Sequence, residues 1–64
     1  MGDAEVLNAL KQFDEPVSAK VISEGLDTSR RNVDMTLKRL LERGEIKSMM
    51  KKVERLKPMH YYYL

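Results

Sequence analysis

Ser29-Arg30-Arg31-Asn32 is where this chain concentrates side chains able to do recognition chemistry. An arginine guanidinium donates two parallel hydrogen bonds to O6 and N7 of guanine, and an asparagine carboxamide pairs in the same manner with adenine. A serine hydroxyl at a helix N-terminus, beside backbone N–H groups that lack helical partners, favours a phosphate. Met35, Lys38 and Arg39 follow at helical spacing, so one face could read base edges, touch a thymine methyl and hold the flanking backbone. Lys51, Lys52, Arg55 and Lys57 form a second cationic group further along, suited to phosphate or minor-groove contact. Each residue also has a plainer reading. Arg30 and Arg31 could be solvated or paired with Asp27 and Asp34, Met35 could be a surface residue, and the lysines could serve solubility.

Other chemistries find little support. With no cysteine there is no disulfide, thiol nucleophile or cysteine-based zinc site. His60 is the single histidine and reads as a strand surface residue, while Tyr61, Tyr62 and Tyr63 read as core and hairpin packing, with one outward ring able to stack on a partner. No nucleophile–base pair, glycine-rich phosphate loop, carboxylate dyad or ligand-spaced acid cluster occurs, so no enzyme, cofactor or metal is expected. No apolar run approaches the roughly 18 residues of a membrane span. Acids stand in the first ten residues where a secretory signal carries lysines, and Val6 replaces the Ser or Thr of a myristoylation signal at Gly2; the expectation is a soluble, intracellular protein. At 64 residues the chain has room for one domain, residues 1–64. Its charge is split. Residues 1–27 carry two lysines against six acids, a net of −4, and residues 28–64 carry ten Lys or Arg against four acids, a net of +6. Such a split fits a polyanion-facing surface, or a surface charged for solubility alone.

The elements that must position these groups follow from spacing. Asp3 is placed to cap a first helix, whose apolar face runs Val6, Leu7, Leu10, Phe13 before Pro16 stops it. Val17 is a single extended residue. Ser18 caps a second helix over residues 19–24, with Val21 and Ile22 inward; Gly25 ends it at positive φ and Leu26 plugs the turn beneath. Ser29 caps a third helix over residues 30–43. Val33, Leu37, Leu40 and Leu41 make its core stripe, and Arg31, Asn32, Met35, Lys38, Arg39 and Glu42 collect opposite. Gly44 closes it. Residues 46–50 and 58–64 read as a hairpin around a basic loop, with Ile46, Tyr62 and Leu64 inward. Two helices joined by a short glycine-containing turn form a helix-turn-helix pattern.

The stretches PVSAKVISEGL, SRRNVDMTLKRLLERGEIK and KPMHYYYL, in the order helix, short strand, helix, turn, helix, hairpin, resemble the winged helix-turn-helix superfamily over roughly residues 6–64. In prokaryotic repressors of that kind the third helix commonly reads Ser-x-x-x-Val, then Leu-x-x-Leu and Gly-x-Ile. Those places here are Ser29, Val33, Leu37, Leu40, Gly44 and Ile46, and Tyr62 with Leu64 fits a wing ending in aromatic-x-Leu. The resemblance implies an α+β, mostly α fold: three helices plus a C-terminal β-hairpin wing, with a one-residue strand near Val17. It implies binding to double-stranded DNA, with the third helix in the major groove and the basic wing on the backbone. A small transcriptional regulator or chromatin-associated factor of the prokaryotic cytoplasm and nucleoid is the corresponding role. Two positions depart from the pattern. Asp27 stands where the turn often has glycine, and Asp34 stands where small polar residues usually face DNA. Winged helices also dock proteins inside larger complexes, and Asp34, Glu42 and Met35 suit a protein partner better than phosphate. A monomer is the default expectation, with a homodimer through the first helix or the tyrosine strand as the alternative.

Overall fold

The computed structural model describes residues 2–52, 55 and 57–64. Three helices, α1 (Asp3–Lys11), α2 (Ala19–Leu26) and α3 (Arg30–Glu42), lead into an antiparallel hairpin of β1 (Lys47–Lys51) and β2 (Met59–Tyr63). The arrangement is α+β and mostly helical. In the hairpin Lys47 stands opposite Tyr63 and Lys51 opposite Met59. On its other edge β2 is bridged by Val17, whose N–H donates to the Tyr62 carbonyl at 3.0 Å and whose carbonyl accepts from Tyr62 N–H at 2.8 Å. The single extended residue expected at Val17 is that bridge.

The core is built from the helical stripes. Val6, Ile22, Val33, Leu37 and Leu40 are all but inaccessible, and Ile46, immediately before β1, closes the core from the hairpin side. Tyr62 packs partly buried against the same cluster. The two helices of the central pair start as serine caps dictate. Ser18 Oγ accepts from Val21 N–H at 3.4 Å, and Ser29 Oγ accepts from Asn32 N–H at 3.2 Å.

Both helices also stop in one way. The Asp27 N–H returns to the Glu24 carbonyl and the Thr28 N–H to the Ser23 carbonyl; Gly44 and Glu45 repeat this with Leu41 and Leu40. This paired return is a Schellman motif, which requires a left-handed residue at its corner. Gly44 supplies it at φ +75, Asp27 at φ 53 and ψ 48.

Several expectations shift by a turn or a face. Gly2, with no side-chain bond, occupies the cap of α1, and Asp3 lies in the first turn, its carboxylate drawn away by Arg39 of α3 and by Arg43 just past its end. α1 ends at Lys11, so Phe13 leaves the stripe and is 40% exposed. α2 passes through Gly25, which is helical, because Asp27 takes the left-handed corner in its place. Its inward face is Ala19, Ile22 and Ser23, at helical spacing, which turns Val21 outward. α3 ends one residue early, with Arg43 as its cap. The strands begin one residue later than expected, and Leu64 lies past β2, 49% exposed instead of inward.

Candidate nucleic-acid interface

α3 buries Val33, Thr36, Leu37 and Leu40 and thereby fixes what it shows to solvent. Ser29, Arg30, Arg31, Asn32, Asp34, Met35, Lys38 and Arg39 are all exposed, Met35 at 53%. Asn32, Met35, Thr36 and Arg39 ring a shallow depression of about 200 Å³ along this face. All the expected residues of the third helix thus reach solvent, and the depression brings Asn32, Met35 and Arg39 together.

Its two ends differ electrostatically. Toward the C-terminus Arg39 and Arg43 are engaged with acids. Arg39 Nη2 donates to Asp3 Oδ1 at 3.0 Å and to Thr36 Oγ1 at 3.3 Å; Arg43 donates to Asp3 Oδ2 and lies 2.7 Å from Glu45 Oε2. The Arg39 hydrogen bond is the strongest influence holding the Asp3 carboxyl below its ordinary value, with partial desolvation opposing and Arg43 reinforcing. Arg39 is thus shared between this cluster and any external anion. Toward the N-terminus the only ion pair among the described residues is Arg30 Nε to Asp34 Oδ2, a loose 3.9 Å between two exposed side chains. Arg31 and Lys38 stand in no ion pair among the described residues.

The hairpin supplies the second cationic group. Lys51 ends β1, and Lys52, Arg55 and Lys57 follow, all exposed. Residues 53, 54 and 56 of this loop lie outside the described residues. The loop end of β2 faces the first turn of α3 across a cleft: Pro58, Met59, His60 and Tyr62 line it with Arg30 and Asp34, about 330 Å³ in volume. The Tyr62 hydroxyl is pushed above its ordinary value of 10.0, first by burial, then by the nearby Asp34 carboxylate, with Arg30 pulling the other way. The His60 and Tyr62 rings lie nearly parallel, 25° apart in plane with centroids at 6.5 Å.

The linear reading takes His60 as a strand surface residue and Tyr62 as packing, and gives neither a place beside α3. Alternate residues of a strand share a face, so their relation was available once the strand phase was known. That they line one cleft with Arg30 was not, because it depends on how the hairpin sits against the helices.

A second surface lies between α1 and α2. Phe13, Val21, Ile22 and Leu26 border an open groove of about 450 Å³, with Glu5 and Gln12 at its margin. Among the described residues no helix is long and apolar enough to cross a membrane. Compared with known protein families, with curated proteins and with solved structures, the chain matches none of them.

Proposed function

We propose that this chain is a winged helix-turn-helix module that binds double-stranded DNA, in the manner of a small transcriptional regulator or chromatin-associated factor of the prokaryotic cytoplasm. The observation that carries the reading is the cleft that the loop end of β2 lines together with the first turn of α3. Arg30 shares that cleft with the strand that leads out of the basic loop, and Arg31 and Asn32 follow it in the same turn of α3. α3 enters the major groove with its N-terminal turn foremost, where Arg31 and Asn32 reach base edges and Ser29 meets a phosphate. Lys38 holds the flanking backbone, and Lys51, Lys52, Arg55 and Lys57 hold the backbone on the other side.

An amide chemical-shift titration with a mixed-sequence duplex tests this. Perturbations centred on residues 29–39 and 51–57 are expected, collapsing as salt rises. With about six phosphates neutralised, affinity falls roughly 10³-fold between 50 and 200 mM salt. A folded protein whose spectrum is silent at low salt would overturn the reading. Docking of a protein is the second reading, favoured by the apolar groove between α1 and α2, and its outcome is a shift pattern on Phe13, Val21 and Leu26 instead.

A further inference from the structure

The cleft between α3 and β2 holds groups that a phosphate contact does not call for. A pocket built for phosphate alone would exclude a carboxylate, since like charges at close range repel. Here Asp34 lines the cleft, 3.9 Å from Arg30. The pair sets an anionic acceptor beside a cationic donor, which complements the edge of a nucleobase. Two aromatic rings line the cleft as well. His60 is exposed, and Tyr62, packed on the core, lies nearly parallel to it. Aromatic faces stack unpaired bases whatever their sequence. A volume of about 330 Å³ falls at the small end of the roughly 300–1,000 Å³ usual for small-ligand pockets.

We propose that this cleft receives one unpaired nucleobase, guanine by preference, offered by an overhang or frayed end of the DNA bound by α3. The inference rests on the DNA reading above and names a feature of the nucleic acid which that reading leaves open. Guanine alone among the bases carries two adjacent donors, N1–H and N2–H, next to an acceptor, O6. The two Asp34 oxygens accept from the donors, Arg30 donates to O6, and the base plane lies against His60. In an intact duplex those guanine groups are engaged by cytosine, so the cleft distinguishes an unpaired base from a paired one. Asp34, which repels a phosphate backbone, thereby gains a role on the DNA-facing side.

The test compares a blunt duplex with the same duplex carrying one unpaired terminal guanine, or one unpaired terminal thymine, by fluorescence anisotropy. The guanine overhang is expected to bind about tenfold tighter than the blunt form, the scale of one stacked base. His60→Ala should abolish the overhang-to-blunt ratio, and Asp34→Asn should level guanine with thymine; both ratios are internal to each variant, so a general change in affinity does not disturb them. Amide spectra of both variants establish that they fold. Equal affinity for blunt and overhang duplexes would overturn the cleft and leave the DNA reading standing. A gain that survives His60→Ala would also overturn it. Failure to bind any of the three would overturn both.

Discussion

Arg31 stands in the first turn of α3, exposed and in no ion pair among the described residues, whereas Arg39 is already held by Asp3 and Thr36. The two arginines should therefore respond differently to substitution. Arg31→Ala is expected to weaken duplex binding by about 1–3 kcal/mol and to relax selectivity at one base position, read by competition with single-base variants of a preferred site. Asp3 is the lever on Arg39 and Arg43. Removing its charge in Asp3→Asn leaves Arg39 held only by Thr36 and Arg43 only by Glu45 among the described residues, so affinity for a duplex should rise while the melting temperature at neutral pH falls. The sign of the pH effect is fixed by the depressed carboxyl of Asp3. Its contribution to stability is complete above the ordinary value of 3.8 and is lost as pH drops through the folded-state value. Wild type and Asp3→Asn should therefore converge in thermal melts in acid and separate toward neutrality.

Two glycines test how the helices are terminated. Gly25 is helical with open space where a side chain would grow, so Gly25→Ala should stabilise the domain by about 0.5–1 kcal/mol. Gly44 has equal space but φ +75, and Gly44→Ala should cost about 1–2 kcal/mol. Urea unfolding of the pair separates conformation from crowding, since neither site is crowded. These helix ends also show which parts of the fold could be read from the chain. The serine caps at Ser18 and Ser29, the core stripe of α3 and the left-handed Gly44 follow from local rules. The end of α2 did not, because Gly25 and Asp27 both suit a left-handed corner and the choice falls to the packing of Leu26 against the core. Phe13 and Leu64 were misplaced for a related reason. Hydrophobic type predicts burial only while the backbone continues in register, and both residues lie past the end of their element. The exposed groups of α3 were legible from its 3.6-residue period; the cleft with β2 depends on docking between elements distant in sequence, which no local pattern encodes.

A chain of this size is expected to be stable by only roughly 3–10 kcal/mol. Leu37 is fully buried at the centre of the core, and Leu37→Ala should cost about 2–5 kcal/mol. That loss brings much of the population to the unfolded state, seen as loss of far-ultraviolet circular dichroism at ambient temperature or a steep fall in its melting point. The same thinness applies to the sheet. β2 is hydrogen-bonded on both sides, to β1 and to Val17, whereas β1 pairs only with β2 among the described residues and has all five of its side chains exposed. An unprotected strand edge invites a second molecule to extend the sheet, and Met49 and Met50 would make that extension sticky. Lys47 and Lys51 bracket those methionines, with Lys52 beyond, so that two copies brought edge to edge set like charges against each other. Protection against aggregation is thus vested in some of the same cations that the proposed function sets against a polyanion. A ligand that neutralises Lys51 and Lys52 removes part of that guard, so crowding many copies along one nucleic acid brings β1 edges together at the moment when they repel least.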